Sequence, residues 1–99
     1  MLILNQERLA SYLRQHPEAK GALLRWELIT AQAEWHSVID VRQSFPTVDQ
    51  VCQCLVFNIR GGNYRLITGV NYARQVITLL YFLTHKEYDR DRWKKDCGC

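Results

Sequence analysis

The sequence predicts an α+β domain in which an N-terminal strand and a two-helix hairpin pack on an antiparallel β-sheet. Three observations predict it. Apolar residues in the first third recur at helical spacing, the period becomes extended beyond residue 50, and glycine- and asparagine-bearing breaks divide that extended part into three segments. At 99 residues the chain has room for one core, and we read residues 1–99 as a single domain.

Taken in order, Met1–Leu4 reads as a short strand. Leu9, Tyr12 and Leu13 then fall on one helical face, with Asn5 placed to cap that helix. His16-Pro17 interrupts it, because the residue before proline is driven out of helical geometry, and Pro17-Glu18 suits the first turn of a second helix. That helix is expected to run to about Glu34, with Leu23, Trp26, Ile29, Thr30 and Ala33 facing inward. Ser37–Ser44 adds a short helical turn closed by Phe45-Pro46. Val51–Ile59, Tyr64–Val70 and Gln75–Leu83 are three antiparallel strands, parted by Arg60-Gly61-Gly62-Asn63 and Asn71-Tyr72-Ala73-Arg74. Everything from Thr84 onward reads as an irregular basic tail. The helices cover one face of the sheet, which leaves the other free for function.

Apolar residues make up 47% of the chain and charged residues 23%, which places it with folded globular proteins and excludes the disordered class. The opening apolar run is only four residues long and lacks a basic start, and Val76–Leu83 is about half of a helical membrane span. A cytoplasmic protein with no membrane partner is expected. Charge is uneven: Met1–Ile59 holds five Lys/Arg and six Asp/Glu (−1), whereas Arg60–Cys99 holds eight and four (+4). The basic surface therefore belongs to the C-terminal part, where a phosphate backbone would be drawn.

In a reducing compartment the four cysteines are expected as thiols. The Cys52-X-Cys54 and Cys97-X-Cys99 spacing is tighter than that of zinc sites, and the first pair sits in a strand-like run. We therefore read the first pair as small buried residues and the second as exposed tail, with no metal and no cofactor.

Alternation along the second meander strand sends Arg65, Ile67 and Gly69 to one face and Tyr64, Leu66, Thr68 and Val70 to the other. A guanidinium projecting from a sheet face has a carboxylate or phosphate to meet. Asn58 and Arg60 share a face of the preceding strand, and the hairpin brings Arg60 near Tyr64 or Arg65, depending on register. Beyond the last strand, Thr84-His85-Lys86-Glu87-Tyr88-Asp89-Arg90 collects an imidazole, an ammonium, a phenol and carboxylates. Metal-free RNA cleavage needs a base for the 2′-hydroxyl, cations for the phosphate and an acid for the leaving 5′-oxygen. His85, Arg60 or Arg65, and Tyr88 have the chemistry for those parts. Asp89 equally suits a turn or an arginine partner. His16 and His36 are read as structural, Trp26 and Trp35 as core, and Trp93 as a residue able to stack on a base. No phosphate-binding glycine loop, zinc-protease motif or nucleophile elbow is present.

Four segments, Arg14–Ala19, Phe45–Asp49, Val56–Leu66 and Thr84–Asp89, resemble in order the HigB-type toxins of the RelE superfamily. The specific pieces are Phe57-Asn58-Ile59-Arg60 and Thr84-His85 followed by Tyr88-Asp89. The resemblance implies a RelE-like fold with RNA bound on the sheet face away from the helices. It also implies an endoribonuclease of translating messenger RNA on the ribosome. Such a toxin is silenced by a helix-turn-helix, HigA-like antitoxin, and operator DNA is met only through that complex. Matched positions give Arg60, Arg65, His85 and Tyr88 as catalytic, with Asp89 supporting. Lys86, Arg74, Lys94 and Lys95 are the expected RNA-binding cations. The alternative of the same fold is a non-catalytic toxin, such as a topoisomerase inhibitor, or a co-repressor.

Overall fold

The computed structural model describes residues 1–99. Its strands are β1 (Leu2–Leu4), β2 (Asp49–Val51), β3 (Cys54–Ile59), β4 (Tyr64–Asn71) and β5 (Val76–Thr84). Its α-helices are α1 (Gln6–Gln15), α2 (Lys20–Gln32), α3 (Val38–Ser44) and α4 (His85–Tyr88), with 3-10 turns at Pro17–Ala19 and Arg92–Cys97. The α+β class holds. One sheet of order β1-β5-β4-β3-β2 carries the three expected meander strands at its centre, and β1 joins β5 in parallel while every other pairing is antiparallel.

The helices cover one face, as binary patterning requires. Leu55, Phe57 and Ile59 of β3, Tyr64 and Leu66 of β4, and Ile77, Leu79 and Phe82 of β5 meet Leu9, Tyr12, Leu23, Trp26 and Trp35 in the main core. Phe57 is fully buried and sits among the rings of Trp26, Trp35 and Phe45, at 5.5, 6.3 and 5.1 Å between centroids. Each such side chain contributes about 1.5–3 kcal/mol by leaving water.

Several local expectations change. Asn5 precedes α1 but makes no side-chain cap; its φ is +65°, and its amide nitrogen donates to the Leu79 carbonyl at 3.2 Å. Arg8 donates to the Leu80 carbonyl at 2.6 Å. The two side chains thus serve β5 beyond Thr78, where β1 has ended. Pairing of β4 with β5 skips a residue between Ile67↔Tyr81 and Thr68↔Leu79, so Leu80 is the extra residue of a bulge.

The first cysteine pair does not lie on one strand. Val51 pairs with Cys54, which makes Cys52-Gln53 a two-residue hairpin turn, and Cys52 takes the positive φ (+53°) such turns demand. Nor are the thiols free: disulfides join Cys52 to Cys99 and Cys54 to Cys97. The supposed tail is folded as well. Trp93 and Cys97 are buried with Cys54, Val56 and Ile67, and with Tyr81, Leu83 and Tyr88 at their border, in a second core on the sheet face away from the helices. That face is therefore not free along its length. The apolar Val56 and Ile67 required a cover, and the C-terminal segment supplies it.

Phe57→Ala should lower the stability of the folded chain by about 3–5 kcal/mol, the cost of an aromatic cavity in a closed core. Urea unfolding measures it, and a loss below about 1 kcal/mol would show that the aromatic cluster is not the centre of the fold.

Candidate active site

The site is set by strand register. Arg65 of β4 pairs with Asn58 of β3 on one side and Leu83 of β5 on the other, while Tyr64 pairs with Thr84. The chain leaving β5 therefore emerges beside Arg65. Thr84 turns it into α4 through a capping box: its hydroxyl accepts from the Glu87 backbone N–H at 3.2 Å, and its own N–H donates to the Glu87 carboxylate at 3.0 Å. Those bonds, the one to the Thr84 backbone first, hold the Glu87 carboxyl below its ordinary pKa.

One turn of α4 sets His85 Nδ1 3.0 Å from the Asp89 carboxylate, and both side chains are 60% exposed. A carboxylate on Nδ1–H fixes the neutral imidazole with Nε2 free to accept a proton. Tyr88 is half-buried; its ring stacks on Trp93 at 5.0 Å, and the Arg65 guanidinium lies over it at 5.4 Å. Burial, the largest influence, raises the Tyr88 pKa, so the phenol stays protonated at neutral pH. Arg65 is aimed by bonds from Nη1 to the carbonyls of Gly62 and Tyr64. An imidazole–carboxylate pair and a phenol–guanidinium pair thus both lie at the end of the sheet where α4 begins.

The other expected residues are placed differently. Arg60 lies in the β3–β4 turn with φ +55°, followed by Gly61 and Gly62 at +65° and +90°. It lines a cleft of about 430 Å³ with Arg25, Trp26, Phe45 and Asn58, and its charge reaches Glu18 and Tyr64. The two arginines have different neighbours. Lys86 is exposed on α4. Arg74 belongs to the β4–β5 turn at the far end of the sheet, about 23 Å away at 3.3 Å per strand residue, and does not join the group. Lys94 pairs with Asp91 at 3.3 Å and rests over Trp93, whereas Lys95 is exposed. Trp93 is only 1% exposed, so its ring is a support for Tyr88 and not a platform for a base.

Two cations escaped the sequence reading. Arg90 and Arg92 line, with Lys95, Glu87, Tyr81 and Leu83, a cleft of about 280 Å³ beside α4. Their alternate spacing just past the His85 segment was the available signal. The structure holds no set of three or more His, Cys, Asp or Glu side chains arranged for a metal, and no helix is long and apolar enough to cross a membrane.

On the helix side, the Tyr64 hydroxyl bonds the Glu18 carboxylate, and the His16 ring packs on Tyr64 at 4.9 Å and Phe82 at 5.5 Å. His16 is structural, as expected. His36 is mostly exposed beside Glu34, so it is a surface residue.

The chain is a small α+β fold with titratable and cationic side chains at the end of its last long strand. Residues 19–91 match the family described as HigB toxin, a RelE-like toxic component of a toxin-antitoxin system, and the chain belongs to that family. No curated protein matches it.

Tyr64→Phe tests how the helical side anchors β4. The Tyr64 hydroxyl, the largest influence, holds the Glu18 carboxyl below its ordinary pKa, so the folded state binds that proton less tightly than the unfolded state. The stabilisation is present above the unfolded value near about 4.3 and is lost as pH falls through the depressed folded value. Denaturant midpoints should drop in Tyr64→Phe at neutral pH and converge with the parent in strong acid; equal differences at both pH values would refute the linkage.

Proposed function

We propose that the protein is the toxin of a type II toxin-antitoxin pair and acts as an endoribonuclease on messages being translated by the ribosome. The observation that carries this reading is the His85–Asp89 contact on α4, the same helix whose Tyr88 ring meets the Arg65 guanidinium. In the proposed reaction His85 Nε2 takes the proton of an RNA 2′-hydroxyl, whose oxygen attacks the adjacent phosphorus. The bond from phosphorus to the 5′-oxygen breaks, and Tyr88, a protonated phenol, supplies a proton to that leaving oxygen. Arg65 stabilises the charge that builds on the phosphoryl oxygens. Asp89 orients the imidazole and stabilises it once protonated, while Arg60, Lys86, Arg74, Lys94 and Lys95 are candidate contacts for the strand on either side. The chemistry runs on protein side chains alone.

The same reading takes residues 1–99 as one toxin domain in the cytoplasm. Its partners are messenger RNA, the ribosome and a HigA-like helix-turn-helix antitoxin, through which the complex meets operator DNA. Family membership supports the pairing, and the +4 balance of Arg60–Cys99 supports an anionic substrate.

The test is induced expression, with amino-acid incorporation followed and new 5′ ends mapped on ribosome-bound messages. Wild type should cut within translated frames. His85→Ala should cut roughly 10²-fold more slowly or worse, and Arg65→Ala by a factor of about 10²–10³. Unchanged cutting by a folded His85→Ala protein would remove the imidazole from the chemistry. Growth arrest with intact messages would instead favour a toxin that works by binding alone.

A further inference from the structure

The segment Arg92–Cys99 lies beyond residues 19–91, so the family match does not account for it. It crosses the sheet as a strap tied to the β2–β3 turn. Cys99 is bonded to Cys52 and Cys97 to Cys54, and the Gln53 N–H donates to the Cys97 carbonyl at 2.8 Å between them. Gly98, at φ +75°, lets the strap pass Gln53, whose side-chain carbon lies 3.0 Å from where a Cβ would stand. Two more ties lie upstream. The Tyr81 hydroxyl bonds Asp96, and the Trp93 indole N–H donates to the Tyr88 carbonyl at 3.0 Å.

The strap stands behind the candidate site without covering it. His85 and Asp89 keep 60% exposure with the strap closed, while Trp93 supplies the surface on which Tyr88 stacks and Tyr88 the surface that Arg65 meets. Anything that frees the strap removes the support of both residues. The two bonds differ in access: Cys52 and Cys99 are exposed, whereas Cys54 and Cys97 are fully buried. Disulfides in a reducing compartment are characteristically transient and redox-sensing.

We propose that Cys52–Cys99 is a thiol–disulfide exchange site for a dithiol reductant, and that it governs the candidate active site through the strap, with the oxidised form active and the reduced form slack. A thiolate of the dithiol attacks one sulfur of the exposed bond, which breaks as a mixed disulfide forms. The second thiolate of the reductant resolves that intermediate and leaves with it as the reductant's own disulfide, so two electrons and two protons pass to Cys52 and Cys99. The loosened end then admits a second dithiol to Cys54–Cys97 by the same exchange. Without either bond the loop closures that favour the docked strap are gone, and Trp93 leaves Tyr88. This control rests on the ribonuclease reading, but the exchange and the release of the strap do not.

The experiment compares the oxidised full-length chain with the same protein after dithiothreitol, counting thiols by alkylation and mass spectrometry. Strap release is read by tryptic cutting after Lys94 and Lys95, with the fold followed by far-ultraviolet circular dichroism. RNA cutting is read in reconstituted translation. Reduction should yield four thiols, speed strap cutting at least about tenfold with the fold retained, and slow RNA cutting at least about tenfold, the scale of a catalytic group displaced by less than an ångström; reoxidation should restore both. The variant Cys52→Ser/Cys54→Ser/Cys97→Ser/Cys99→Ser should behave as the reduced form with or without reductant. If it does not fold, Cys52→Ser/Cys99→Ser keeps the inner bond and should show partial release. Unchanged strap protection with four thiols counted overturns the proposal, as does a strap held by one stoichiometric zinc per chain. Equal RNA cutting with the strap released overturns its control of the site. Release on reduction with no cutting in either form defeats the ribonuclease reading and leaves the exchange site standing.

Discussion

The pairing of β4 with β5 decides where every other feature falls. Its hydrogen bonds put Arg65 opposite Leu83 and Tyr64 opposite Thr84, and the extra residue at Leu80 adjusts the alternation between the two halves of the ladder. Because side chains alternate with a period of two, a one-residue change in that ladder would exchange the buried and outward sets on one strand. Were β5 the strand to slip, Phe82 would leave the helical core, and the segment bearing His85 would emerge out of step with Arg65. Side chains at the start of α1 reinforce the irregular place, since Asn5 and Arg8 occupy the carbonyls on either side of it. The helical face of the protein thus helps to set the geometry of the opposite face.

The strap resolves a conflict between binding and stability. A sheet with helices on only one side leaves its other face exposed, and Val56, Ile67 and Leu83 are too apolar to serve as solvated surface. Eight residues at the C-terminus bury the middle of that face and leave its end, where α4 begins, open. The candidate site is thereby left at one end of the sheet, against a support of two stacked rings. Aromatic stacking and the guanidinium contact make the support directional as well as apolar.

Much of this was legible in the sequence. Periodicity located both long helices and the three central strands, and alternation set Arg65 on the opposite face from Tyr64 and Leu66. Family resemblance then singled out His85, Tyr88 and Asp89. What escaped was long-range or carried by atypical residues. The Cys52-Gln53 turn has neither glycine nor asparagine to mark it, so Val51–Ile59 reads as one strand and β2 goes unseen. The disulfides depend on two distant segments meeting, which spacing alone does not reveal. The start of α4 was legible but passed over: Thr84 with Glu87 three residues on is a capping box, and reading it as one would have predicted the His85–Asp89 contact one turn apart. Arg74, named on charge alone, is carried by topology to the far end of the sheet, a position that charge does not reveal.

The borders of the sheet are unusually brief. β1 and β2 are three residues each, and past Thr78 the outer side of β5 has two consecutive carbonyls occupied by side chains. A second molecule seeking to extend the sheet meets too few vacant amide and carbonyl groups to act as a template. Edges this short are one of the devices by which folded sheets discourage edge-to-edge growth.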